Sequence, residues 1–185
     1  MEITYWIAQI VGVFALIALV SSYQQKKRER LLLCKLCADV LWMTNFALLG
    51  GWGGMISNGV GVCRELVFLQ RGKRKWASSA VWPIVFILVG WTAFFSVRIF
   101  LFSESFSLIH ILPIIATTCA TFSFWSKSPV MTKAIAIPAS GSFLIYNLFI
   151  QNYIGVFNEA IGLTSLAIGL ARHAMERRRA AKKTQ

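Results

Sequence analysis

The feature that most limits this chain is the length of its apolar runs. They recur at about 20 residues, the length a helix needs to cross a hydrocarbon core of ~30 Å. Seven spans are expected: Ile3 to Tyr23, Leu31 to Leu49, Met55 to Leu69, Ala80 to Phe100, Leu108 to Phe124, Thr132 to Ile150 and Ile154 to Ala171. The connections between them are short and polar or rich in glycine, as in Gly50-Gly51-Trp52-Gly53-Gly54 and Ser103-Glu104-Ser105. Hydrophobic residues make up 57% of the 185 positions and charged residues only 14%. A soluble domain of this size needs more charge on its surface. The expected fold is all-α integral membrane, with no separate soluble module.

The formal net charge is +12, which fits either nucleic-acid binding or the positive-inside rule. The distribution decides. Sixteen of the 19 Lys and Arg residues fall in four connections: Gln24 to Arg30, Arg71 to Lys75, Ser126 to Lys133, and the tail from Arg172 to Gln185. The other three, Lys35, Arg64 and Arg98, lie within spans, and the alternate loops hold none. Seven spans with the N-terminus outside and the C-terminus cytoplasmic place every basic connection inside. This accounts for the charge without nucleic acid. The tail is expected to be frayed.

The N-terminal run is preceded by Glu2 and followed by basic residues, the reverse of a cleavable signal, so it is expected to stay as the first span. The four cysteines, Cys34, Cys37, Cys63 and Cys119, sit in apolar runs. Cys34 and Cys37 have the spacing of a redox or metal pair but lack a second pair or nearby histidines. They read as small packing residues, with no metal and no cofactor. Trp6, Trp52, Trp76 and Trp91 read mostly as an interfacial belt.

The second half echoes the first. Trp42-Met43-Thr44-Asn45-Phe46 aligns with Leu144-Ile145-Tyr146-Asn147-Leu148, pairing Asn45 with Asn147. After a two-residue deletion, Asn58 pairs with Asn158. Spans one to three then match spans five to seven around a linker span, a 3+1+3 arrangement of parallel repeats with a site between them near the midplane. The units are residues 1–75, 76–103 and 104–171, followed by the tail 172–185. Coincidental similarity between apolar segments is the alternative.

The segment Trp42-x-x-Asn45-Phe46, a turn, then Ile56-Ser57-Asn58-Gly59-Val60-Gly61 is similar to the Trp-x-x-Tyr-Gly and Asn-x-x-Gly stretches of the SWEET and PQ-loop superfamily of small-solute transporters. Overall the chain most closely resembles the YgjV-type bacterial inner-membrane proteins. Tyr5-Trp6-Ile7-Ala8-Gln9-Ile10-Val11-Gly12-Val13, the basic first inner loop and Asn158-Glu159 carry that likeness. The resemblance implies a multi-pass inner-membrane location. It also implies that Asn58 and Asn158 line a solute site and that Trp42 opens the family motif. The proline that hinges span one in SWEET-type proteins is absent near Tyr23-Gln24, so the chain is expected to gate differently or not at all.

A charge near the bilayer centre costs about 3 kcal/mol, so charged groups face the bundle interior. Asp39, Arg64 and Glu65 lie at similar depth. Lys35, Asp39 and Trp42 share one helix face, as do Asn58 and Glu65. The candidate substrate-binding residues are Asn58, Asn158, Trp42, Asn45 and Asn147. The candidates for gating or proton coupling are Asp39, Arg64, Glu65 and Glu159. Two plainer readings stand beside these. The charges can form a structural ion pair such as Asp39 with Arg64, and the asparagines can be interhelical hydrogen bonds worth about 1 kcal/mol each. His110 reads as interfacial and Arg98 as snorkelling to the surface.

A small-solute transporter is therefore expected, with a non-transporting scaffold or receptor as the alternative. No nucleophile-base pair or phosphate loop points to an enzyme. The expected partners are the lipid bilayer and a small polar solute, with a homo-oligomer left open.

Overall fold

The structure is a computed structural model that describes residues 2–23, 28–71, 73–101, 108–126 and 129–183. The expected loop at Ser103 to Ser105 lies outside the described residues, as do parts of the first and third basic connections. Seven α-helices follow in order: α1 Glu2–Tyr23, α2 Arg28–Leu48, α3 Trp52–Gln70, α4 Val81–Leu101, α5 Leu112–Trp125, α6 Pro129–Phe149 and α7 Tyr153–Lys183. Short 3-10 turns at Trp76–Ser78 and Leu108–Ile111 lead into α4 and α5. No strand occurs among the described residues.

Three helices are long and apolar enough to cross a membrane: Ile3–Ser22, Val81–Ile99 and Tyr153–Met175. Leu108–Ser123 is a shorter apolar helix. The others are diluted by polar groups. α2 carries Lys35 and Asp39, α3 carries Arg64 and Glu65, and α6 carries Lys133, Ser140, Ser142 and Asn147. Their outward side chains are still apolar, with Leu33, Val40, Leu66, Ile137, Ile145 and Leu148 exposed. Polar inside and apolar outside is the pattern that lipid imposes on a helix bundle.

Several boundaries differ from the expected ones. α3 starts at Trp52 rather than Met55, because Gly53 and Gly54 are helical and buried. Only Gly50 and Gly51 make the turn, with Gly50 at a φ of 69°. α6 begins at Pro129 and runs through Pro138 without interruption. α7 does not end near Ala171, and the tail expected to fray continues it as helix to Lys183. Trp91 is not at a helix end. It sits mid-way along α4 and its indole donates to Thr118 Oγ1 of α5 at 3.2 Å.

α1 packs on α2 and α2 on α3, while α5 packs on α6 and α6 on α7. The ring closes through α3 against α5 and α7 against α1, with α4 outside it against α3 and α5. Contacts recur 101 residues apart around this ring. In the α2–α3 turn, Gly51 N–H donates to Phe46 O and Met55 N–H to Gly51 O. In the α6–α7 turn, Asn152 N–H donates to Asn147 O and Val156 N–H to Asn152 O. Gly50 and Gln151 hold matching left-handed conformations. A Cβ at Gly54 would lie 2.5 Å from the Phe46 ring, and one at Gly155 2.5 Å from Asn147 Oδ1. One at Gly61 would approach Asp39 Oδ2, and one at Gly162 Ser140 Oγ.

This spacing differs from the sequence alignment, which paired Asn45 with Asn147 and Asn58 with Asn158. The recurring contacts instead match Asn45 with Tyr146 and Phe46 with Asn147. Packing geometry is what repeats, and it does not require the same side chain in both places.

Candidate functional site

Two polar clusters lie within the bundle, towards opposite ends of α2. The first gathers at the end of α2 remote from the basic connections. Asn152, in the turn before α7, donates from Nδ2 to Asn45 Oδ1 at 2.7 Å and to Asn147 Oδ1 at 3.0 Å. Asn45 Nδ2 in turn donates to the Ala8 carbonyl at 2.7 Å. Gln9 Oε1 accepts from the Ile154 N–H at 3.3 Å. The cluster therefore ties α1, α2, α6 and α7 together.

The three asparagines are buried, and both polar ends of Asn45 are partnered. The Gln9 amide nitrogen is buried with no hydrogen-bond partner among the described residues. Beside the network, Trp42, Phe46 and Tyr146 form an apolar core with Ala15 and Ala38. The Phe46 ring stacks on Phe143 at 6.2 Å. The Tyr146 hydroxyl lies near the Gly53 and Gly54 N–H groups. Those groups belong to the first turn of α3, where backbone donors lack helical partners.

The second cluster is charged and gathers where α2, α3 and α5 meet. Lys35 Nζ lies 3.1 Å from Asp39 Oδ1 and 3.0 Å from Oδ2. It also lies 2.5 Å from Glu65 Oε1. One ammonium thus bridges two carboxylates on two helices. Arg64 donates from Nη1 to Thr121 Oγ1 of α5 at 3.2 Å. Asp39 and Arg64 both border Gly61, whose missing Cβ leaves room for the carboxylate. Asp39, Arg64 and Glu65 are buried, and Glu65 Oε2 has no hydrogen-bond donor among the described residues. Two cations and two anions make the group neutral as a set. Such a set can relay a proton or exchange an internal ion pair for a contact to a polar solute.

Of the residues expected to bind a solute, the structure joins Asn45 and Asn147 through Asn152 and packs Trp42 in the apolar core. Asn58 donates to the Gly54 carbonyl of its own helix at 2.8 Å. Asn158 donates to Glu159 Oε1 at 3.1 Å, with Ser140 of α6 nearby. Asn58 and Asn158 stand on α3 and α7, which share no extended contact.

Of the residues expected to gate, Asp39 and Glu65 meet through Lys35 rather than through Arg64. Glu159 lies apart on α7. Lys35, Thr121 and Asn152 were not among the expected site residues. The four-residue spacing of Lys35 and Asp39 was a usable signal for the first, whereas nothing local marks Thr121 or Asn152. The cysteines form no disulfide. Among the described residues no cluster of three or more His, Cys, Asp or Glu side chains could hold a metal ion.

Comparison with known proteins gives one match. The model of the Imp-YgjV family, described as bacterial inner membrane protein, matches residues 6–177. No curated protein and no solved structure matches the chain. Apolar helices with lipid-facing side chains and an interior holding the polar groups are what a multi-pass protein of that membrane requires. With its family match spanning nearly the whole sequence, the chain belongs to the Imp-YgjV family of bacterial inner membrane proteins.

Proposed function

We propose that this protein moves a small polar solute across the inner membrane, along a path between two three-helix units, α1–α3 and α5–α7, with α4 as their link. The observation that carries this reading is the buried set of Lys35, Asp39, Arg64 and Glu65. Each charge costs about 3 kcal/mol to place within a bilayer, and such groups mark ion and solute paths. A single structural ion pair needs two charges, not four.

The recurrence of contacts 101 residues apart supports the two-unit reading. So does the ring order, in which α3 meets α5 as α7 meets α1. Parallel repeats of this kind carry their sites between the units, as in the SWEET-like architecture the sequence resembles. The placement of all basic connections at one end supports an outside N-terminus and a cytoplasmic C-terminus across seven spans. Within this reading Asn58 and Asn158 contact the solute, and the Lys35 set and Glu159 gate or couple movement. No chemical step is part of it.

A second reading, a non-transporting scaffold or receptor, draws on the asparagine network, which has its hydrogen bonds turned inward. Uptake by proteoliposomes separates the two. A panel of labelled sugars, vitamins and amino acids is expected to include at least one solute that enters with the wild-type protein. That uptake is lost in both Asn58→Ala and Asn158→Ala while each variant stays folded. Uptake unaffected by both changes overturns the reading. No uptake together with a stoichiometric copurifying partner favours the scaffold.

A further inference from the structure

We propose that the connection between α3 and α4 is a binding site for an anionic phospholipid, with the headgroup on Arg71, Lys73, Arg74 and Lys75 and one acyl chain along α4. The assignment to the inner leaflet rests on the orientation proposed above, whereas the binding itself does not.

Four cations, Arg71, Lys73, Arg74 and Lys75, fall within five residues, and no Asp or Glu occurs between positions 66 and 103. A basic loop that only orients a protein needs no fixed shape. This one is folded. The Arg71 N–H donates to Phe68 O at 3.2 Å, and the Lys73 and Arg74 N–H groups both donate to Gln70 O at 3.0 Å. Arg71 and Arg74 form a β-bridge. The following 3-10 turn is anchored by Ala77, which is fully buried. Residues 73–75 are exposed, so the folded backbone presents their side chains at the surface.

Beneath them lies an aromatic shelf. The Arg71 guanidinium sits over the Trp125 ring at 4.3 Å, a geometry that favours the cation. Trp125 contacts Phe68, Phe68 contacts Phe86, and Phe86 stacks on Trp82. Trp82 meets Trp76 edge-on and donates from its indole to the Trp76 carbonyl at 2.8 Å. Trp76 is half-exposed at the rim, the place of an interfacial tryptophan.

From the rim an apolar track leads down α4. Val81, Ile84 and Leu88 are exposed at helical spacing. Leu88 opens a shallow groove of about 360 Å³, which Val89, Thr92, Ala93 and Ser96 also line. At 1.5 Å per residue the track reaches Leu88 about 10 Å below Val81 and Ser96 about 22 Å below it. That depth lies within a hydrocarbon core of ~30 Å. A cationic turn, a tryptophan rim, exposed apolar residues along α4 and the groove at Leu88 together match a lipid with a phosphate head. The apolar groove does not match a nucleic acid, and the four cations do not match a zwitterionic lipid.

Native mass spectrometry of the full chain, released from micelles holding equal phosphatidylglycerol and phosphatidylcholine, tests this. The wild type is expected to retain phosphatidylglycerol selectively. At about 1 kcal/mol per cation near the surface, Arg74→Gln with Lys75→Gln weakens retention about 30-fold. Both side chains are exposed, so melting in lipid-free detergent stays unchanged. Arg172→Gln with Arg179→Gln, an equal charge loss in the tail and away from the groove, is expected to weaken retention less than the Arg74/Lys75 variant. Ala93→Phe, which fills the groove, weakens retention while leaving all four cations in place. Equal retention of the two lipids overturns the proposal. So does an unaffected Arg74/Lys75 variant, or an equal loss in the tail variant.

Discussion

The two polar clusters solve the same problem in opposite ways. Both place hydrogen-bonding groups inside a lipid-facing bundle. The cluster around Asn152 uses uncharged amides, joins four helices and turns its donors inward onto carbonyl and amide oxygens. The cluster around Lys35 uses four charges, joins three helices and leaves Glu65 Oε2 without a hydrogen-bond donor among the described residues. A neutral network costs little to bury once it is satisfied, and it holds helices in register. A charged set costs more than apolar packing of the same volume and is seldom the cheaper route to stability. The amides therefore account for assembly, and the charges call for a function.

Breaking the charged set has the largest expected effect on stability. Lys35→Met keeps the stem volume but strands Asp39 and Glu65 with one shared cation fewer. Removing one partner of a buried ion pair costs about 3–5 kcal/mol. Thermal melting in detergent is expected to show that loss. Adding Asp39→Asn and Glu65→Gln to Lys35→Met is expected to recover much of it, because the stranded charges are gone. A triple variant as unstable as Lys35→Met alone would mean that shape rather than charge holds this region together.

The neutral cluster is tested through the glycine that makes room for it. A Cβ at Gly155 would press on Asn147 and Asn152, whereas one at Gly162 would meet Ser140 only at 3.7 Å. Gly155→Ala is expected to cost about 1–3 kcal/mol, the range for overpacking a close contact. Gly162→Ala is expected to be close to neutral. Similar melting of both variants would remove the network's claim to set helix spacing.

The smallest change touches the link between the charges and α5. Thr121→Val keeps shape and removes the hydroxyl that accepts from Arg64. A loss of about 1 kcal/mol is expected from melting, in line with interhelical hydrogen bonds in membranes. A much larger loss would show that Arg64 depends on Thr121 for its burial.

The sequence made the helices legible because lipid demands long apolar runs, and α1, α4 and α7 meet that demand with few polar residues. It also made one face of the charged set legible, since Lys35 and Asp39 are four apart on one helix. The register of the recurrence was hidden. Matching asparagine to asparagine paired Asn45 with Asn147, whereas the backbone contacts set Asn45 against Tyr146 and Phe46 against Asn147. The repeated constraint falls on the glycine and on whichever side chain covers it, so Phe46 and Asn147 occupy one place with different chemistry. Gly53 and Gly54 read as turn residues for a similar reason. Glycine also serves close helix packing, and sequence alone does not separate the two uses. Thr121 and Asn152 entered the clusters through long-range packing, for which no local pattern exists.

In the proposed transport the charged set acts on the solute path and the amide network holds the helices. Uptake of the solute found in the panel is measured in proteoliposomes at equal protein for wild type, Glu65→Gln and Asn152→Ala. Loss of uptake in Glu65→Gln measured on protein that remains folded at the assay temperature, despite the lower melting that breaking the pair brings, and lower melting with retained uptake in Asn152→Ala, is the predicted result. Wild-type uptake by Glu65→Gln would contradict the account.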